Sequence, residues 1–182
     1  MSLVVTISGS PSAASRTQEL AARVGATIAA GGFELEAINI RDLPPEDLVH
    51  ARADSPALQR VVGLVERARG VVIATPVYKA SYTGVLKTFL DLLPQFGLGG
   101  KVVLPLATGG TLAHVLAIDY ALRPVLLSLG AQHVVTGLFI LDKLVERRGT
   151  GGLELNPEIS ERLDHTVADF LASLRRQDAH AI

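Results

Sequence analysis

Short apolar runs alternate along this chain with longer stretches that carry apolar residues at helical spacing. Leu3 to Ser8 holds no charge and reads as a buried first strand. From Ser15 to Ala30, Leu20, Val24 and Ile28 recur every fourth position. That spacing predicts a helix, which Gly31-Gly32 stops. Phe33 to Ile40 sets Phe33, Leu35 and Ala37 against Glu34, Glu36 and Ile38, the pattern of an outer strand of lower burial. A proline-rich loop follows at Leu43-Pro44-Pro45. Ser55-Pro56 then supplies an N-cap and a proline at the first position of a helix reaching Arg69.

Val71 to Thr75 is β-branched and uncharged, and reads as the third strand. Tyr82 to Leu93 is the next helix, ended by Pro94. Lys101 to Ala107 is the fourth strand, and Leu112 to Leu129 a long helix ended by Gly130. Val134 to Ile140 is the fifth strand, and Asn156-Pro157 opens a last helix to Arg176. Glu146 to Leu155, with three glycines and two arginines, is the expected mobile loop. Strands separated by helices imply parallel pairing with right-handed crossovers. The expected fold is therefore α/β: a flavodoxin-like three-layer sandwich around a five-stranded parallel sheet of order 2-1-3-4-5. With 182 residues and no linker or repeat, the chain is expected to form one domain, 1–182. In such a sheet, ligands bind beyond the carboxyl ends of the strands. The loops after Ser8, Thr75 and Ala107 should converge there.

Composition narrows the function classes. A formal net charge of -1 gives no general pull toward nucleic acid or anionic lipid. No cysteine is present, which removes disulfides, thiol catalysis and Cys-ligated metals. His50, His114, His133, His165 and His180 show no metal-ligand spacing, so no metal is expected. Met1 to Ser10 runs straight into a strand without a secretory pattern, and the apolar runs are too short to span a bilayer. These features predict a cytoplasmic protein.

Three loops carry candidate chemistry. Gly9 to Thr17 places four hydroxyls (Ser10, Ser12, Ser15, Thr17) and Arg16 between a strand and a helix start. N–H groups at a helix N-terminus attract anions, and Arg16 can pair with a phosphate oxygen. Ser10 and Ser15 could equally be turn caps. The loop lacks both the P-loop and the Gly-x-Gly-x-x-Gly patterns, so a monophosphate fits better than a diphosphate. The second loop runs from Thr75 through Pro76, Val77 and Tyr78 to Tyr82. It offers a stiff apolar wall for a flat ring, or else a helix-entry turn with core aromatics. Lys79 and Lys87 are either ligand contacts or solvated charges. The third, Thr108-Gly109-Gly110-Thr111, allows backbone to approach a planar ring closely.

The sequence resembles the NADPH-dependent FMN reductases that partner alkanesulfonate monooxygenases. The resemblance lies in Ser8-Gly9-Ser10-Pro11, Pro45-Glu46-Asp47-Leu48, Asp54-Ser55-Pro56-Ala57-Leu58, Ala74 to Ala80, Leu86-Lys87-Thr88, Leu90 to Pro94, Gly100 to Gly110 and Asp119-Tyr120-Ala121-Leu122. It implies an oxidoreductase with FMN as substrate or loosely bound cofactor, NADPH or NADH as donor, and sulfur scavenging as physiology. It implies that Ser10, Ser15, Arg16 and Thr17, above Ser8, hold the flavin phosphate. Pro76, Val77 and Tyr78 would line the ring, with Thr108, Gly109 and Gly110 nearby. One departure stands out: many relatives of the wider superfamily carry Arg where this chain has Ser12, which leaves Arg16 the only cation of the first loop.

Pro124 lies inside the helical pattern of 112–129 and cannot donate to the carbonyl of Tyr120. The helix must kink or widen there. The resemblance implies a π-bulge with Tyr120 at a subunit interface near the flavin; a proline kink with Tyr120 in the core is the alternative. The apolar helices 82–93 and 112–129 offer faces for a homodimer or homotetramer. Asp119 and Arg123 suit a helix-surface pair, and His114 a structural or interface role. Hydride transfer between nicotinamide and flavin needs alignment more than protein acids or bases, so no catalytic side chain is expected. Rival readings are an FMN-containing quinone or azo reductase, a flavodoxin-type electron carrier, and a non-catalytic FMN-binding module. Carriers of that kind are strongly acidic, and this chain is not.

Overall fold

The apolar runs of the sequence become the middle layer of the molecule. The structure, a computed structural model, describes residues 2–147 and 152–179. His180 and the centre of the 146–155 stretch lie outside them. The strands of the main sheet are β1 (Leu3–Ser8), β2 (Glu34–Asn39), β3 (Gly70–Tyr78), β4 (Ser81–Tyr82), β5 (Val102–Gly109), β6 (His133–Val134) and β7 (Leu138–Leu141). The order is β2-β1-β3-β5-β6, with β7 also on β5 and β4 on β3. Every pairing is parallel except β3 with β4. This is the expected flavodoxin-like order, with the fifth strand split in two.

The split has a local cause. Pro105 of β5 has no N–H to offer a neighbour. Its carbonyl presses on Gly137, where a Cβ would sit 2.5 Å from that oxygen. The ladder therefore closes at Val135, whose N–H donates to the Val103 carbonyl at 3.0 Å, and resumes at Leu138.

Alternation along the central strands separates two cores. Val5, Ile7, Val71, Ile73 and Val103 face one layer of helices, while Val4, Val72, Ala74, Leu104 and Leu106 face the opposite layer. In that opposite layer α1 (Arg16–Ala30) contributes Leu20, Val24 and Ile28. On the first side α2 (Pro45–Val49), α3 (Pro56–Arg67), α4 (Gly84–Leu90) and α5 (Arg123–Ser128) pack, and α6 (Pro157–Ala179) completes the second. Lys101, itself buried, ties β5 to α3: its Nζ donates to the carbonyls of Glu66 and Ala68 at 2.9 Å each. Burial, and then the nearby Arg69 charge, hold its pKa below 10.5.

Four expectations need correction. The stretch around Pro44-Pro45 is not only a loop: Ile40–Asp42 form a 3₁₀ turn and Pro45 opens α2. Ser55 precedes α3 but does not cap it with its side chain, because its hydroxyl donates to Asp47 at 2.5 Å instead. The helix expected from Tyr82 starts at Gly84, Tyr82 being part of β4. The ends of the expected mobile loop pair as an antiparallel hairpin, β8 (Val145–Arg147) with β9 (Leu153–Leu155).

Candidate flavin site

Three strand ends converge at one edge of the sheet. Ser8 lies beside Ala74, and Pro76 beside Thr108, in register. The Gly9 N–H donates to the Ala74 carbonyl at 2.8 Å. The hydroxyls of Thr17 and Thr108 share a buried hydrogen bond of 2.7 Å, which joins the first loop to the third. Thr83 joins the first to the second: its hydroxyl donates to the Gly9 carbonyl at 2.5 Å, and its N–H donates to Thr75 Oγ1 at 3.2 Å. Loops 9–17, 76–78 and 108–110 thus meet at one edge of the sheet.

The hydroxyls of the first loop divide by role. Ser15 caps α1, its Oγ accepting the Gln18 N–H at 3.1 Å. Ser10 is buried and accepts the Ser12 N–H at 3.3 Å. Ser8 and Thr17 are buried as well, and the Thr17 hydroxyl is committed to Thr108. Arg16 is exposed, and among the described residues no carboxylate lies within ion-pair distance of it. The first-turn N–H groups of α1 have no intrahelical acceptor. Arg16, the N–H groups of Arg16 and Thr17 and the serine hydroxyls could together hold an anion. The Thr17 hydroxyl holds the first loop to β5.

The second loop is a tight hairpin. Val77 pairs with Tyr82, and Tyr78 with Ser81. The two-residue turn between them is Lys79-Ala80, at φ +51° and +65°. Mirror-image hairpin turns take this shape, and Asn-Gly is their usual sequence. For residues with a Cβ the left-handed region costs roughly 1–2 kcal/mol each. The Thr83 hydrogen bonds hold the base of the hairpin against that strain. Val77 is buried, Pro76 half-buried, and Tyr78 half-exposed at the rim. Tyr82 has its pKa raised, first by burial, against the opposing charge of Lys87. Lys87 is bound to Asp91 at 2.6 Å and 2.8 Å, a helix-surface pair rather than a ligand contact.

The glycine pair of the third loop also divides. A Cβ on Gly109 would lie 2.9 Å from the Phe139 ring, so this glycine serves internal packing. Gly110 is exposed, and a Cβ there would meet only Asp142 Oδ2 at 4.0 Å. The open approach to a ring is at Gly110. A candidate anion site beside Pro76-Val77-Tyr78 and the open Gly110 is compatible with a phosphate-bearing flat heterocycle, and these residues could hold FMN.

Residues 2–146 match the family described as NADPH-dependent FMN reductase. The chain belongs to that family. It is 47% identical over 176 residues to an FMN reductase (NADPH) of Pseudomonas putida KT2440, covering 96% of this chain and 89% of the relative. An FMN reductase (NADPH) of Escherichia coli K12 is 45% identical, with 96% and 91% covered. Among solved structures, the apo form of the NADH:FMN oxidoreductase EMOB superposes with a TM-score of 0.88 at 41% identity, covering 95% of this chain and 90% of that one. This FMN reductase is an oxidoreductase of FMN and NAD(P)H.

Pro124 has the predicted effect on the reductase's backbone. Leu112–His114 form a 3₁₀ turn and Ile118–Leu122 a π turn, and Pro124 falls in the first turn of α5. The helix read as continuous over 112–129 is thus broken. Tyr120, in the π turn, is 78% exposed, which removes the core alternative. The Asp119–Arg123 pair forms at 3.0 Å, and Arg123 also donates to the Val134 carbonyl at 3.2 Å, tying the helix to β6. His114 is partly buried, and its Nδ1 has no hydrogen-bond partner among the described residues.

Sequence reasoning missed Thr83. A Thr before Gly-Val-Leu is a usable N-cap signal, and its hydroxyl does accept the Leu86 N–H at 3.2 Å. The signal was hidden because the hairpin turn has Lys-Ala in place of Asn-Gly. Phe139 and Asp142, which flank Gly109 and Gly110, carried no local signal at all.

Proposed function

We propose that this FMN reductase releases its reduced flavin to a flavin-dependent monooxygenase in the cytoplasm, a partnership that draws sulfur from organosulfonates. The observation that carries the reading is exposure: Arg16, Tyr78 and Gly110, one from each loop, all face solvent. A flavin held this way can exchange. When both are bound, reduced nicotinamide supplies a hydride and the flavin ring accepts it. This chain's residues bind and align. Arg16 and the α1 N-terminus fix the phosphate, Pro76 and Val77 set the plane of the ring, and Thr17, Thr83 and Thr108 hold the three loops in register. No side chain is assigned as acid or base. Among the described residues no helix is long and apolar enough to cross a membrane, which supports a location off the membrane.

Self-association belongs to the same proposal. Leu112, Val115, Leu116 and Tyr120 expose apolar surface on one short segment. A homodimer or homotetramer would cover it.

The test is NADPH and NADH oxidation with and without FMN, FAD and riboflavin. A rate that rises many-fold with free FMN supports the release reading. FMN that stays through gel filtration, with free FMN leaving the rate unchanged, would favour the quinone or azo reductase instead.

A further inference from the structure

The two-residue turn Lys79-Ala80 takes the positive-φ shape that its hairpin requires, a shape unfavourable for its sequence. Both residues are exposed, with φ at +51° and +65°. Asn-Gly would relax the backbone but would leave no cation at the tip. The two residues beneath, Tyr78 and Ser81, are paired, and Thr83 anchors the base to Thr75 and Gly9. The Lys79 backbone is thereby held in place at the sheet edge where the three loops meet.

Charge balance says what that cation is for. The reaction brings together FMN, with one phosphate, and a dinucleotide with a pyrophosphate. The three loops contain two cations, Arg16 and Lys79. Arg16 stands at the α1 N-terminus among the serine hydroxyls. Of the cations outside these loops, Lys87 is paired with Asp91 and Arg123 with Asp119. Among the described residues no carboxylate lies within ion-pair distance of Lys79. Lys79 follows directly on Tyr78, the exposed end of the ring wall.

We infer that Lys79 is the docking cation for the pyrophosphate of NAD(P)H, presented over the outer side of the flavin cleft by the strained hairpin turn. This rests on the FMN reductase reading. A compact ammonium with three donors suits a pyrophosphate that must bind and leave at every turnover. A fixed backbone at the turn limits the ordering that binding requires to the side chain itself.

The test uses the full chain loaded with FMN and reads binding apart from turnover. ADP-ribose carries the pyrophosphate without the nicotinamide. Calorimetry should show it binding about tenfold more weakly to Lys79→Met, the size of one hydrogen bond to a charged group. Lys79→Arg should restore it. The KM for NADH and for NADPH should rise by similar factors, with FMN affinity unchanged. A loss confined to NADPH would overturn the pyrophosphate assignment, as would weakened FMN affinity or ADP-ribose binding that ignores the substitution. A wild-type protein without NAD(P)H oxidation would sink the reductase reading instead, and the ADP-ribose titration would still decide the role of Lys79. Since Met meets the same backbone strain as Lys, the variant keeps the fold of the turn.

Discussion

Two segments leave the same edge of the sheet, 16–30 after β1 and 112–128 after β5, and both carry apolar residues at helical spacing. The first is one unbroken helix. The second passes through 3₁₀, π and α turns within 17 residues (112 to 128). In the first, Leu20, Val24 and Ile28 are all at most 1% exposed, and one stripe meets one core. In the second, Ile118, Leu122 and Leu126 are buried, while Leu112, Val115, Leu116, Tyr120 and Leu127 are exposed. Apolar residues there exceed what a single stripe can hide. The difference teaches that helical spacing predicts a regular helix when one face serves the chain's own core. A proline inside, together with a second apolar face, makes the backbone choose another repeat.

The sharpest break of this comparison is a matched pair of leucines. Leu20→Ala should cost about 3 kcal/mol in denaturant unfolding, as deletions in a closed core do. The buried hydroxyl pair links α1 to β5, the strand that leads into the second segment, so Thr17→Val should cost roughly 1–2 kcal/mol by stranding Thr108. Adding Thr108→Val should recover part of that loss, and a double-mutant cycle would read the coupling. Ser15→Ala removes only the cap of the regular helix and should cost about 1 kcal/mol in thermal unfolding. Smallest is Leu116→Ala, which should change unfolding of the monomer by less than about 0.5 kcal/mol. Its effect should appear in sedimentation instead, as weakened assembly. A large stability loss at Leu116 in the monomer would show that the exposed face is part of the core after all.

Most of the layer order was legible in the sequence. Leu20, Val24 and Ile28 marked α1, and the uncharged run 71–75 marked the central strand. Pro124 marked the defect above Tyr120, because a missing donor is a chemical fact of the residue. The split of the fifth strand was not legible, since it arises from Pro105 meeting Gly137 across the sheet. The β8–β9 pairing was not legible either, since each strand has only three residues. In the site, the residue types of the first loop pointed to an anion, but their roles did not separate. Only the fold reveals that Thr17 faces Thr108 and that Gly109 is filled by Phe139. The hairpin turn was unreadable for a related reason: its strain is supported by Thr83, a residue with no link in sequence to the turn's own shape.

The central claim is that the first loop grips a lone phosphate at the rim of one shared cleft. Flavin fluorescence quenching with FMN and riboflavin, on the wild-type protein and on Arg16→Met, tests it most directly. FMN should bind wild type at least about tenfold more tightly than riboflavin, the worth of one charge-assisted hydrogen bond, and Arg16→Met should erase most of that gap. Equal affinity of the wild-type protein for the two flavins would contradict the account.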